Sequence, residues 1–418
     1  MNRNVLNSGV LFVAPVLPID VAVTAAALCE QGWLYRLVTR TTLEPARASN
    51  LARVPLLRAF SRRPSSPVPR EFLVEDRIAD FVAFFSHALS RSHITSTDAS
   101  FCHVDRYASK LVHAGTRAVL AREDACLASF QAARRQNVPT IYQLPTAFCS
   151  TVEKILEREH AFFPEVAVAD EESNAFRPDR QQRKHAELAA ANVVLCPSTF
   201  VAASLPAEAV ANKQVLTVPF GVEQSWLRRG AVKRDNVFLY TGRISLRKGV
   251  HRLLAAWKKL AAHRTHKLLL VGEMALNERF LRDFSGVFEH VPRVARTELP
   301  RYYERAQAFL FNTPADGFGN VILEAMACST PVLASRNSGA PDVIDDGVDG
   351  KLFDFGDDER FMATLDWALS HPAELREMGK RAGERAARST WDRYSKALLA
   401  ALKPVVEEHV VPATCGAS

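Results

Sequence analysis

Short apolar runs alternate with amphipathic stretches along most of the chain. Val10-Leu11-Phe12-Val13-Ala14 is too short for a helix and suits a buried strand. Val21 to Cys29 continues with helical spacing, Gly32 stops it, and Leu34 to Val38 reads as a second strand. Phe72 to Leu89 is helical by pattern, with Phe81, Phe84 and Phe85 on or near one face, which predicts a stripe turned toward the core, a lipid or acceptor groove being the other reading. Ala118–Ala121 and Thr140–Leu144 are further strands around a helix at Ala125–Arg135, with Asp124 as its N-cap candidate. Glu153 to Ala190 is helical and charged, and ends at the strand Val193–Leu195.

The second half repeats the alternation through Val237–Thr241, Val250–Ala262, Lys267–Gly272, Leu276–Phe284, Ala308–Asn312, Gly319–Ala327 and Pro331–Ser335. Strand and helix in turn predict doubly wound parallel sheets of α/β class. The polar and basic run Gln224 to Asn236 places a linker near Gly221–Asn236. The domains expected are 1–221 and 222–389, followed by an amphipathic helix from Trp391 to Leu402 within the closing segment 390–418.

At 418 residues and 48% hydrophobic content, the chain has ample material for two cores. Its seven cysteines are scattered, odd in number and never spaced Cys-x2-Cys, so neither a disulfide framework nor a zinc site is indicated and a reducing cytosol fits best. Met1 to Gly9 lacks the layout of a signal peptide, and no apolar run approaches the roughly 20 residues that span a bilayer. A cytoplasmic location is expected, soluble or peripheral on the inner face of the membrane. The net charge of +7 is modest for this size, and nucleic acid is not an expected partner. Residues 48–70 interleave Arg53, Arg58, Arg62, Arg63 and Arg70 with Leu51, Leu56, Leu57 and Phe60. Two readings stand for this stretch. It is a peripheral membrane contact, or a solvated loop whose helical pattern is interrupted by Pro55 and ended by Pro64, Pro67 and Pro69.

The chemistry gathers in two loops of the second half. Asp316 to Gly319 is the turn between the strand ending at Phe311 and the helix that begins near Val321. Gly317 and Gly319 let backbone approach a ligand, and the opening N–H groups of the helix point into the same space, which makes an anion site. Glu324 lies further along that helix, where a carboxylate accepts hydrogen bonds from vicinal hydroxyls such as those of a ribose. The other loop, Gly242-Arg243-Ile244-Ser245-Leu246-Arg247-Lys248-Gly249, joins a strand to a helix and offers a guanidinium and an ammonium for a diphosphate.

Gly-Arg-x4-Lys-Gly at 242–249 with Asp-Gly-Phe-Gly-x4-Glu-Ala-Met-Ala at 316–327 resembles the retaining glycosyltransferases of family 4, of group 1 type. The resemblance implies the GT-B fold, two doubly wound Rossmann-like domains facing each other across a cleft. It implies a nucleotide diphosphate sugar as donor, a glycan, lipid-linked or small-molecule acceptor, and no metal or other cofactor. Arg243 and Lys248 would then act on the leaving diphosphate, Asp316 on the donor sugar and Glu324 on the ribose. Gly242, Val294, Gly317, Phe318 and Gly319 would complete the donor site, with the base near Arg293 and Val294. The chain departs from the family in three places. Asp316 replaces the first of two glutamates, Leu17-Pro18-Ile19-Asp20 stands where a glycine-rich turn is usual, and Gln143-Leu144-Pro145-Thr146 lacks a histidine that many relatives carry. A nucleotide-sugar 2-epimerase of the same fold and a catalytically weak nucleotide-sugar-binding protein are the alternatives.

Overall fold

The structure is a computed structural model and describes residues 8–43, 64–90, 93–166, 177–227 and 234–407. Two parallel sheets carry it. The first contains β1 (Gly9–Val13), β2 (Leu34–Thr39), β3 (Leu73–Glu75), β4 (Thr116–Arg122), β5 (Thr140–Gln143), β6 (Val193–Cys196) and β7 (Gln214–Thr217), in the order β3-β2-β1-β4-β5-β6-β7. The second contains β8 (Val237–Thr241), β9 (Lys267–Val271), β10 (Glu289–Val291), β11 (Ala308–Phe311), β12 (Val332–Ser335) and β13 (Gly350–Phe353), in the order β10-β9-β8-β11-β12-β13. Every residue of β1, β6, β11 and β12 is buried. Helices cover both faces of a parallel sheet, so its central strands are apolar throughout rather than alternating.

Each sheet reverses its winding once, between β1 and β4 and between β8 and β11. Ligand sites in such sheets lie beyond the C-terminal ends of the strands at that reversal. Among the described residues the two halves meet along seams that include the following three. The helix Trp391–Glu407 returns to the first sheet, where Leu398, Leu402 and Val406 join a core with Val10 and Phe12, and Tyr394 shares a 2.8 Å hydrogen bond with Thr24. Ser198 Oγ donates to Gly317 O at 2.6 Å, and Thr199 donates to the Asp342 carboxylate. Glu159 of the helix Cys149–Phe162 accepts hydrogen bonds from Arg252 and shares one with His251, both residues of the helix Val250–Lys259.

Four expectations need correction or restriction. Leu73–Glu75 is an edge strand paired with β2, so the helix begins at Ile78 rather than near Phe72. Leu73 and Val74 find backbone partners in Leu37 and Val38, and this pairing overrides the helical pattern. Phe81, Phe84 and Phe85 do not face the core and are 61–68% exposed. Asp124 caps no helix: the next helix starts at Leu127, while Asp124 holds φ at 72° and gives its carboxylate to Arg180. Of the segment 48–70, residues 48–63 lie outside the described residues.

Candidate active site

The second sheet's reversal opens into a cavity of about 400 Å³ lined by Thr241, Gly242, Arg243, Gly272, Glu273, Arg293, Val294, Arg296, Val321 and Glu324. Four elements supply it because the loops after β8, β9 and β10 and the helix Asn320–Ala327 converge at one sheet edge. Gly242, Arg243, Val294 and Glu324, four of the residues picked from sequence, are together in this one space. Lys248 and Asp316 sit at the far end of the same Gly242–Gly249 loop, with Nζ 2.5 Å from Oδ2. Gly249 adopts φ 69°, and a Cβ there would lie 1.7 Å from Asn312 O. The loop can therefore lie against the end of β11 only with glycine at 249, and that places Lys248 beside Asp316.

Glu324 is 6% exposed. Its Oε1 accepts from Arg296 Nη2 at 3.1 Å, and the Tyr303 hydroxyl lies 3.5 Å from Oε2. Burial raises the Glu324 carboxyl above the ordinary glutamate value, and Arg296 and Tyr303 oppose that rise. Tyr303 is fixed in turn by a 2.6 Å bond with Thr241, and Arg296 also reaches Glu223 at 3.2 Å and stacks over Trp226. Glu324 is thus oriented before any ligand arrives. Arg296, Tyr303 and Thr241 were missed as site residues from sequence. Arg296 lies in the loop 292–297, already expected at this edge, and a basic residue there was the available signal. Tyr303 gave no signal, since a buried tyrosine in a helix reads as core.

Between the two carboxylates the chain turns toward the first half of the molecule. Asp316 N donates to Asn337 O at 2.9 Å. A Cβ on Gly317 would lie 1.9 Å from Pro145 O, and Gly317 O accepts from Ser198. Phe318 is buried against Phe220, with ring centroids 5.2 Å apart. Gly319, at φ 81°, precedes the helix Asn320–Ala327 without a side-chain cap, and of the opening amides that of Ile322 donates back to Gly319 O at 2.9 Å. This turn therefore rests directly on Pro145 and Ser198 of the opposite half. Across from it, Asp20 pairs with Arg122 at 2.6 Å, and this ion pair occupies the reversal point of the first sheet where the resemblance expected bare glycine backbone.

Comparison with known proteins gives these features a context. Residues 225–386 match the family model for Glycosyl transferases group 1. A D-inositol 3-phosphate glycosyltransferase of Segniliparus rotundus is 32% identical over 216 residues, covering 46% of this chain and 47% of that protein. An MMP alpha-(1->4)-mannosyltransferase of Mycolicibacterium hassiacum is 30% identical over 186 residues, covering 43% of this chain and 45% of that protein. The chain spans about half the length of the curated relatives it matches. Among solved structures, a sucrose-phosphate synthase from Thermosynechococcus elongatus superposes with a TM-score of 0.60 at 18% identity, over 95% of this chain and 99% of that one. A trehalose-6-phosphate protein from E. coli bound with UDP-2-fluoro glucose gives 0.60 at 11% identity over the same shares.

Proposed function

We propose, for a chain that has the GT-B fold and whose residues 225–386 form a group 1 glycosyltransferase domain, that it moves a hexosyl unit from a nucleotide diphosphate sugar to an acceptor with retention at the anomeric carbon. The observation that carries this reading is the single cavity lined by Gly242, Arg243, Val294 and Glu324 at the sheet's reversal point. The base rests by Arg293 and Val294, Glu324 accepts from the ribose hydroxyls, and the diphosphate faces Arg243, Lys248 and the amides from Gly317 to the start of the helix. Asp316 holds donor-sugar hydroxyls.

The barrier in such a transfer is charge separation. The diphosphate gains negative charge as the sugar becomes oxocarbenium-like, and preorganised cations beside the departing β-phosphate lower that transition state. Arg243 and Lys248 fill this role, and the reading calls for no metal ion. The 2.5 Å pair between Lys248 and Asp316 holds the ammonium in place before the donor binds. The departing phosphate oxygen takes the acceptor hydroxyl's proton as the new glycosidic bond forms.

Residues 1–221 form the acceptor side in this reading and 222–389 the donor side, with the chain cytoplasmic and the basic segment 48–70 at the inner face of the membrane. The acceptor is a glycan, a lipid-linked intermediate or a small molecule; the matched relatives carry names for several different glycosyl transfers, so they favour no single acceptor. A thermal-shift screen of nucleotide sugars tests the proposal. One donor should raise the melting temperature, since ligand far above its dissociation constant adds about 3 kcal/mol at 100-fold excess. Release of free nucleoside diphosphate together with a glycosylated product supports transfer. No stabilising donor, or conversion of the donor alone into an epimer, overturns it.

A further inference from the structure

Two polar side chains at the C-terminal edge of the first sheet keep bonding capacity that the fold does not use. Leu120 of β4 and Ile141 of β5 pack into one core with Val21 and Ala25 of the helix Ile19–Glu30. Side chains alternate along a strand, so Arg122 and Gln143, two residues further on and paired in register, turn to that same face. Arg122 donates from Nη1 to Asp20 in the helix's first turn, the only hydrogen bond its guanidinium makes among the described residues. Gln143 is 4% exposed, and its Oε1 is buried without a partner. Its amide nitrogen has no partner among the described residues either.

A buried amide without a partner destabilises the fold, and nearly all such groups in proteins are bonded. A leucine would fill the same place without that cost. The position of Gln143 gives the amide a use. It ends a strand one place from the reversal between β1 and β4, at the sheet edge where parallel sheets bind ligands. Pro145, two residues on, is the point on which Gly317 rests, so Gln143 borders the cleft on the side opposite Asp316. The chemistry of the group defines what fits it. A primary amide offers a donor and an acceptor side by side, which matches two neighbouring hydroxyls, each able to donate and to accept. Asp20 keeps lone pairs and Arg122 keeps N–H groups for the oxygens next to them.

We propose that Gln143, with Asp20 and Arg122 beside it, is a subsite that reads a vicinal pair of hydroxyls on a sugar ring of the acceptor. The inference rests on the acceptor-side reading of residues 1–221 and adds to it the side chains that select and the chemical group they select. The resemblance offers no side chain for this task, since it expects bare glycine backbone where Asp20 and Arg122 pair.

Saturation-transfer NMR of free hexoses and their monodeoxy analogues with the full chain tests it, because it reads binding without donor or turnover. At least one hexose should bind the wild type, and removal of one of its hydroxyls should weaken binding by about tenfold. In Gln143→Ala the parent hexose should fall to the level of that analogue, while the analogue binds as it did before, which is the signature of a direct pairing. Gln143→Leu should also lose the sugar yet melt at or above the wild-type temperature, since no hydrogen bond within the protein is given up. A wild type that binds no hexose overturns the proposal, as does Gln143→Ala binding the hexose like wild type or Gln143→Leu melting well below it. Nucleoside diphosphate release is measured separately: a wild type that binds the hexose but transfers nothing to any acceptor would remove the transferase reading and leave the hydroxyl subsite standing.

Discussion

Lys248 and Asp316, 68 positions apart in the chain, form an ion pair with Nζ 2.5 Å from Oδ2 at the edge of the cleft. The carboxylate that stands where the resemblance expects a glutamate thus reaches the loop's ammonium despite its shorter side chain. If this ammonium and Arg243 carry the leaving diphosphate, Lys248→Ala and Arg243→Ala should each lower turnover by about 100-fold or more, the scale of deleting a preorganised donor. Steady-state release of nucleoside diphosphate measures it, and unchanged turnover in either variant refutes that residue's role.

Glu324 and Asp316 should separate in a binding experiment. Glu324 is buried and held by Arg296 and Tyr303, and losing its carboxylate leaves Arg296 without one of its two carboxylate partners and, under the proposed assignment, removes the ribose contact. Glu324→Ala should weaken donor affinity more than Asp316→Asn does, whereas Asp316→Asn should act chiefly on turnover. Titration calorimetry with the donor decides, and the reverse order of affinities would count against the ribose assignment.

Gly317 predicts a defect in domain approach. With its Cβ position 1.9 Å from Pro145 O, Gly317→Ala cannot keep the present contact between the turn Asp316–Gly319 and the first half. Both sheets should still fold, so the melting temperature should change little, while turnover falls by about tenfold or more because misplaced groups of about 1 Å cost on that scale or above. Small-angle scattering should report a larger radius of gyration. A compact variant with full turnover would show that the contact is incidental.

The Glu159 seam predicts a stability difference with a pH signature. Burial alone would raise the Glu159 carboxyl, but hydrogen bonds with His251 and Arg252 outweigh it and hold the group below its ordinary value. Its stabilisation is therefore complete above the ordinary glutamate range near 4.3 and disappears as pH falls through the lower folded value. Burial keeps His251 below the usual 6.5, so the unfolded chain binds a proton there first and stability falls as pH drops below that range. Both effects have one sign: the protein should melt lower at pH 5 than at pH 7, and His251→Asn should shrink that difference. Glu159→Gln, which leaves Arg252 buried with a neutral partner, should reduce stability by about 3–5 kcal/mol in urea unfolding at pH 7. A variant within about 0.5 kcal/mol of wild type would mean that Asp358, which also pairs with Arg252, suffices.

Much of the architecture was legible because a parallel sheet buried on both faces writes itself as short apolar runs. Val237–Thr241 and the core of Ala308–Phe311 needed no tertiary information. The loops were legible because Gly242, Gly249, Gly317 and Gly319 punctuate strand-to-helix turns in which few other residues fit. Pairings at long range were not. Ser198 meets Gly317 across 119 positions and Glu159 meets Arg252 across 93, and nothing local in either segment foretells its partner. The phenylalanines of Ile78–Ser90 misled for a physical reason: an apolar stripe at helical spacing looks the same whether it meets a core or something outside the chain. The edge strand Leu73–Glu75 was hidden because three residues carry no period.

Titration calorimetry of nucleoside diphosphates into the wild type and into the double variant Arg243→Ala/Lys248→Ala reaches the central claim most directly. One nucleoside diphosphate should bind the wild type with one-to-one stoichiometry and lose at least about 100-fold in affinity in the variant, two charge-assisted contacts being removed. Equal affinity in the two proteins, or no binding of any nucleoside diphosphate to a folded wild type, would contradict it.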